Sequence, residues 1–169
     1  KGALLQFSKN YDDYPIVLTT WEGQDSYRCQ APLWGVDLEN IAITGEGVLD
    51  GGGDVWRAIK REKQTAGQWA NLIKSGGVTD EKQNNWYPSE KSLKGNMIPN
   101  AGRILNGVKP TPEELASYKD FLRPNMLSLT RCKNIIIEGN GEQASQSLTL
   151  VNNSFAGGAQ FGLASGNGY

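Results

Sequence analysis

Asp37-Leu38-Glu39-Asn40-Ile41-Ala42-Ile43-Thr44-Gly45-Glu46-Gly47-Val48-Leu49-Asp50-Gly51 is the stretch whose reading decides the fold. Ile41–Thr44 is a short apolar, β-branched run of strand length. Gly45, Gly47 and Gly51–Gly53 crowd its exit, and turn residues this dense between short strands predict sharp corners. Outward from it, Ala3–Phe7 and Ile16–Thr20 are strand-like runs on the N-terminal side. On the other side stand Met126–Thr130, Ile135–Ile137, Ser147–Val151 and Gln160–Leu163, bounded by Gly and Asn. Short β runs with no regular hairpin dipeptide between them predict a β-solenoid, in which aliphatic residues stack rung upon rung. A β-sandwich is the alternative. It fits less well, because the block 54–122 would interrupt its strand order.

That block reads as helical and loop insertion. Asp54 is placed to cap a helix through Val55, Trp56, Ile59 and Lys60. Thr65 caps a second, with Trp69, Leu72 and Ile73 on one face and Gly76-Gly77 at its end. A polar stretch holding Trp86-Tyr87-Pro88 reads as a long ordered loop. Thr111-Pro112-Glu113-Glu114 supplies an N-cap, Pro at N1 and Glu at N3. Leu115, Tyr118, Phe121 and Leu122 form the buried stripe of that helix, and Arg123-Pro124 ends it. The domain reading is one partial unit over 1–169: first strands over 1–50, the insertion over 54–122, and further rungs with an atypical tail over 125–169.

Composition narrows the chemistry. The 169 residues carry 17 Lys+Arg against 18 Asp+Glu, a net charge of -1, so a nucleic-acid or anionic-membrane partner lacks its electrostatic footprint. No apolar run approaches the roughly 18 residues of a membrane span. The absence of His removes Ser-His and Cys-His nucleophiles and His-based zinc sites. The 21 glycines suit turn-rich β structure. Cys29 and Cys132 have no metal-ligand spacing and read as small buried hydrophobes, with a disulfide left open. The chain opens directly on Ala3–Phe7, with no initiator Met or apolar leader, and is expected to start in mid-domain.

The stretch Asp37–Gly51 followed by Trp56 resembles the N-terminal signature of glycoside hydrolase family 28, the polygalacturonases and related pectin-degrading enzymes. Arg123-Pro124-Asn125-Met126-Leu127 and Cys132-Lys133-Asn134-Ile135-Ile136-Ile137-Glu138-Gly139 resemble the family's next rungs. Trp86-Tyr87-Pro88-Ser89-Glu90-Lys91-Ser92 and the helical block are similar to the insertion of bacterial exo-type members. The resemblance covers about residues 1–139. It implies an all-β, right-handed parallel β-helix, hydrolysis of α-1,4-linked galacturonan with inversion, and a secreted or periplasmic protein. The family's Asn-x-Asp, Asp-Asp, Gly-His-Gly and Arg-x-Lys segments have no counterpart here. No catalytic residue is therefore carried over, and the chain is expected to be inactive alone. A non-catalytic polysaccharide-binding or assembly module is the alternative.

Inverting glycosidases need two carboxyl groups roughly 6.5–9.5 Å apart. Asp50 and Asp54, separated by three glycines, read instead as a turn residue and a helix cap. Asp12-Asp13 reads as solvated loop and Glu113-Glu114 as a helix's first turn. Gly45-x-Gly47 lacks the third glycine of a dinucleotide loop. No metal or cofactor is expected. A polyanionic partner such as galacturonan calls for Arg and Lys. Arg57, Lys91 and Arg123 are the substrate-binding candidates, with Lys60 beside them, while Trp21, Trp34, Trp56 and Trp69 read as core or rung-capping aromatics. An open last rung would invite self-association. Asn152 heads an Asn-Asn-Ser sequon of little weight.

Overall fold

The structure is a computed structural model. It describes residues 2–44 and 47–137, and further along the backbone of Leu148–Val151 and Phe155–Ala156. In chain order come β1 (Ala3–Gln6), β2 (Ile16–Trp21), β3 (Gln24–Cys29), β4 (Leu33–Val36), β5 (Glu39–Ile43) and β6 (Gly47–Asp50). Then follow β7 (Ile59–Lys60), α1 (Ala66–Lys74), β8 (Val78–Thr79), β9 (Asn85–Tyr87), α2 (Glu90–Met97) and α3 (Pro112–Ser117). The last elements are β10 (Leu127–Thr130), β11 (Lys133–Ile137), β12 (Leu148–Val151) and β13 (Phe155–Ala156). Strands dominate and helices are few, as expected of an all-β chain. Among the described residues the strands form five short sheets, none closed on itself or continuous as a solenoid. The chain folds into two compact units, Lys1–Ser8 with Ala31–Gly51 and Asn125–Tyr169, and Lys9–Gln30 with Gly52–Pro124.

In the first unit every strand pair is parallel. β6 lies between β1 and β12, β10 lies between β4 and β13, and β11 pairs with β5. Leu127 faces Leu33 and Lys133 faces Glu39, so the chain returns in one register on two successive strands. The corner between those strands repeats as well. Asp37 and Asn40 have φ of 55° and 57°, and Arg131 and Asn134, each 94 residues on, have 52° and 53°. Asn is the non-glycine residue that best tolerates the left-handed region, and its amide here links the two passes: Asn134 Nδ2 donates to Asn40 Oδ1 at 2.9 Å. Arg131 grips Asp37 through Nε and Nη2, both at 2.6 Å, and holds that carboxyl below its usual range. These groups are exposed, so they specify register more than they add stability. At Gly35 a Cβ would stand 2.5 Å from Leu38 Cδ1 and 3.2 Å from Leu129 Cδ2, so the inside of this corner has no room for a side chain.

The second unit is built differently. β2 and β3 form an antiparallel hairpin whose turn, Glu22-Gly23, has φ of 50° and 78°. Two successive positive φ values match the right-handed twist of the flanking strands. β9 is the middle strand of a small antiparallel sheet between β7 and β8. The core gathers Tyr14, Cys29, Trp56, Leu115, Tyr118 and Leu122, the last with no exposed surface. Trp56 meets Tyr11 and Tyr14 edge to face, with centroids 4.7 and 5.4 Å away, and a buried aromatic pair of this kind adds about 1 kcal/mol beyond its area. Tyr11 Oη donates to the Val55 carbonyl. β3 is tied to the later chain by backbone bonds from Tyr27 N–H to the Gly102 carbonyl and from Cys29 N–H to the Leu122 carbonyl.

Both helix caps read in the sequence are present, and each is a full capping box. Thr65 Oγ1 accepts from Gln68 N–H and Gln68 Oε1 from Thr65 N–H; Thr111 and Glu114 do the same. α1 ends before Gly76 and Gly77, both at positive φ. α3 is shorter than its apolar stripe: it stops at Ser117, and Lys119–Phe121 forms a 3₁₀ turn that still buries Leu122.

Several expectations change. The helix over Val55–Lys60 does not form, because Gly52 is left-handed, Gly53–Trp56 is a 3₁₀ turn, and Ile59-Lys60 pairs with Asn85-Trp86 as β7. Asp54 is not a cap; it accepts from Lys9 Nζ at 2.7 Å. Trp86-Tyr87 is strand rather than loop, and Ser89 caps α2 through Ser92 N–H. Trp34 is no core residue, standing 60% exposed on β4, and Trp21 is half-buried. The hairpin partner β3 and the strand β4 are additions. Cys29 and Cys132 are both free, the first buried and the second half-buried. The strand read over Gln160–Leu163 and the sequon at Asn152 lie outside the described residues.

Two outcomes follow from the caps and the core. Thr111→Ala removes one half of a capping box and should lower stability by about 1 kcal/mol in urea unfolding; an unchanged midpoint would mean the cap does not hold α3. Burial pushes the Cys29 thiol from 9.0 up to about 12. The folded state then keeps a proton that the unfolded state releases, so stability is full below about pH 9 and falls as pH rises toward 12. Cys29→Ala should show a shallower fall over that window, and equal slopes for the two proteins would contradict it.

Candidate anion-binding site

A cavity of about 440 Å³ opens in the second unit, within the size range of small-molecule sites. The hairpin supplies Trp21 and Arg28, and the 3₁₀ turn Gly53–Trp56 supplies Trp56 with Arg57 directly after it. β9 contributes Tyr87, α2 contributes Ser92 and Asn96, and Phe121 and Arg123 complete the wall. α2 is set in place by Ser89 Oγ, which donates to the buried Asp120 Oδ2 at 2.6 Å. Gly95 lets this helix lie against Phe121, where a Cβ would collide with the ring. Asn96 Nδ2 donates to Tyr87 Oη at 2.9 Å, which fixes both polar groups on the wall.

The electrostatics are one-sided. Three guanidinium groups line the cavity and no carboxylate does. Arg28 is only 8% exposed, and its Cζ lies 4.1 Å from the centroid of Trp21 and 6.0 Å from that of Phe121. Aromatic faces attract a cation held in this way, but they supply no hydrogen-bond acceptor in the plane of the guanidinium. Burial pushes the Arg28 pKa down to about 10, helped by the charges of Arg103 and Arg123 and opposed by Glu22. The group remains protonated at pH 7. Arg123 is lowered for the same first reason, burial, with Arg57 next. Glu22 is itself taken by Arg103, which donates to it through Nη2. Two buried donors, Arg28 Nε and Trp56 Nε1, have no hydrogen-bond partner.

Of the residues singled out in the sequence, Arg57 and Arg123 meet on this wall, while Lys91 is exposed on α2 and does not line it. Lys60 lines a wider cleft of about 900 Å³ with Arg61 and Trp69, and it pairs there with Glu62 at 3.8 Å. Arg28 escaped the sequence reading because Gln24–Cys29 is polar and carries no β-branched run. The available signal was Glu-Gly directly after Trp21, which folds Arg28 back opposite Val17. None of the acidic candidates lines the cavity. Asp50 accepts from Gln6 Nε2 at 3.1 Å, Asp54 is bonded to Lys9, and Glu113-Glu114 open α3. Among the described residues no group of three or more His, Cys, Asp or Glu could hold a metal, and no helix is long and apolar enough to cross a membrane.

No protein-family model matches the chain, and no curated protein does. Among solved structures it is similar to a hyperthermoactive exopolygalacturonase from Thermotoga maritima, with 24% identity and a TM-score of 0.41. That match covers 80% of this chain and 27% of the enzyme, so the chain spans about a quarter of that structure's length.

Proposed function

We propose that this chain is a polygalacturonase-like, right-handed parallel β-helical protein that binds acidic polysaccharide of the galacturonan type without hydrolysing it on its own. The observation that carries this reading is the cavity wall, with three arginines, aromatic faces and no carboxylate. A sugar acid presents a carboxylate to the guanidinium groups and an apolar ring face to tryptophan, and charge-assisted bonds to Arg are among the strongest polar contacts available. The parallel strands that return in register, and the family-like stretches at Asp37–Gly51 and Arg123–Ile137, support the β-helical part. Inverting hydrolysis of galacturonan is the reaction those stretches imply. It needs a proton donor on the leaving oxygen and a second carboxylate holding a water, and the wall offers neither. Galacturonan binding goes with a secreted or periplasmic protein, and that location is part of the proposal.

Calorimetric titration tests the binding. Trigalacturonate should bind, neutral galactotriose should not, and added salt should weaken the complex because the contacts are ionic. Arg57→Ala and Arg123→Ala should each cost about tenfold in affinity, the scale of one lost hydrogen bond to a charged group. Equal affinity for the two trisaccharides would overturn the reading. Release of reducing sugar from polygalacturonate by this chain would overturn the absence of hydrolysis.

A further inference from the structure

The arginine cavity and the wide cleft share one strand. Side chains alternate between the two faces of a strand, and β9 runs Asn85-Trp86-Tyr87. Asn85 lines the cleft and Tyr87 lines the cavity, so both spaces open on one face of β9. Trp86 points to the other face, where its Nε1–H donates to the Gly76 carbonyl at 2.7 Å and its ring leaves no room for a side chain at Gly77. Two residues along a strand span about 7 Å, a step that a linked sugar chain covers within two rings. β7 repeats the arrangement. It pairs with β9 through Ile59 opposite Trp86 and Lys60 opposite Asn85. Lys60 lines the cleft, while Arg57 and Ala58, which lead into β7, line the cavity. Arg57, Ala58 and Lys60 are exposed, so a ligand reaches all three from solvent.

The two spaces differ in chemistry. Three guanidinium groups and no carboxylate make the cavity a seat for a sugar acid. The cleft mixes Lys60 and Arg61 with Glu62 and the amides of Gln64, Asn84 and Asn85. Amides donate and accept, which matches sugar hydroxyls. Lys60 Nζ stands 3.8 Å from Glu62 Oε1, with 62% and 71% of the two side chains exposed. Such a pair adds little in water and leaves the ammonium group open to another partner.

We propose that the cavity and the cleft are adjoining subsites for a single acidic oligosaccharide, which runs along the shared face of β7 and β9 with one sugar acid against the arginines and the next rings over Lys60, Asn84 and Asn85. The ligand's identity rests on the proposed binding of galacturonan, and the span rests on the geometry of the two strands. Linkage strengthens such a complex: once the first ring is seated, the second space meets its ring at a high effective concentration. Affinity therefore rises with chain length until both spaces are filled.

Calorimetric titration of the full chain with digalacturonate and hexagalacturonate tests the span. Hexagalacturonate should bind as one molecule per chain, about tenfold or more tightly than digalacturonate. Lys60→Ala should weaken hexagalacturonate about tenfold, the scale of one lost hydrogen bond to a charged group, and so remove the gain with length. Asn84→Ala should weaken it several-fold; the backbone bonds of Asn84 to Asp80 and Arg61 do not involve its side chain. Arg57→Ala should weaken both ligands. Lys60 and Asn84 are exposed, and circular dichroism checks that each variant folds. Equal affinity for the two lengths would overturn the span and leave the binding of acidic sugar standing on the arginine cavity. Two hexagalacturonate molecules per chain, or a gain with length that both variants keep, would do the same. Binding of neither ligand would overturn the span and the sugar reading together.

Discussion

The backbone hydrogen bond from Cys29 N–H to the Leu122 carbonyl, 2.8 Å long, is the constraint on which the second unit's site depends. It joins β3 to a point in the chain more than ninety residues later. The two bonded residues turn their side chains into the core, where Leu122 is fully enclosed and Cys29 nearly so. Their neighbours in the chain are Arg28 and Arg123, and both line the cavity. One main-chain contact thereby sets an apolar pair on one side and a charged pair on the other. Alternation along β3 separates Cys29 from Arg28, while Leu122 closes the 3₁₀ turn Lys119–Phe121 and Arg123 follows it. Bringing the guanidinium groups together needs no contact between the arginines themselves.

That arrangement works against stability. Desolvation and repulsion from neighbouring arginines both disfavour the buried Arg28 cation, and both push its pKa down. Stacking on Trp21 recovers part of the loss, and packing of Trp56 against two tyrosines holds the opposite wall rigid. Uncompensated charge on one wall is the feature that a structural role alone does not explain, since apolar side chains could fill the same space at lower cost.

The legible parts of the sequence were those governed by local chemistry. The capping boxes at Thr65 and Thr111 are written in four consecutive residues each, and both are formed. The β-branched runs at Ile16, Ile41 and Ile135 lie in strands. Where tertiary pairing decides, local reading failed. Ile59-Lys60 follows a plausible helix start, yet becomes a strand because Asn85-Trp86 lies alongside it. Trp86-Tyr87 looked like loop because Pro88 follows at once, but a strand three residues long needs only that the proline stand past its end. The site was half legible. Arg57 and Arg123 were marked by their positive charge within family-like stretches. Arg28 is hidden in a polar run, and only the fold shows that it shares their cavity.

The first unit adds a constraint on how such a site can be carried. Between the corner at Asp37–Asn40 and the corner at Arg131–Asn134 the chain runs through nearly all of its helices, yet the second corner repeats the first in left-handed positions and in register. The register is held by the corner's own bonds, Arg131 to Asp37 and Asn134 to Asn40, together with the close fit at Gly35. All of these groups lie at the corners or, like Gly35 and Leu129, in the strands that lead into them. Parallel pairing needs only that the intervening chain return to the right place, and the entropic cost of a longer return grows slowly with length. The segment between the corners, which carries α1, α2 and α3, can therefore change in length without altering the parallel pairing that brackets it.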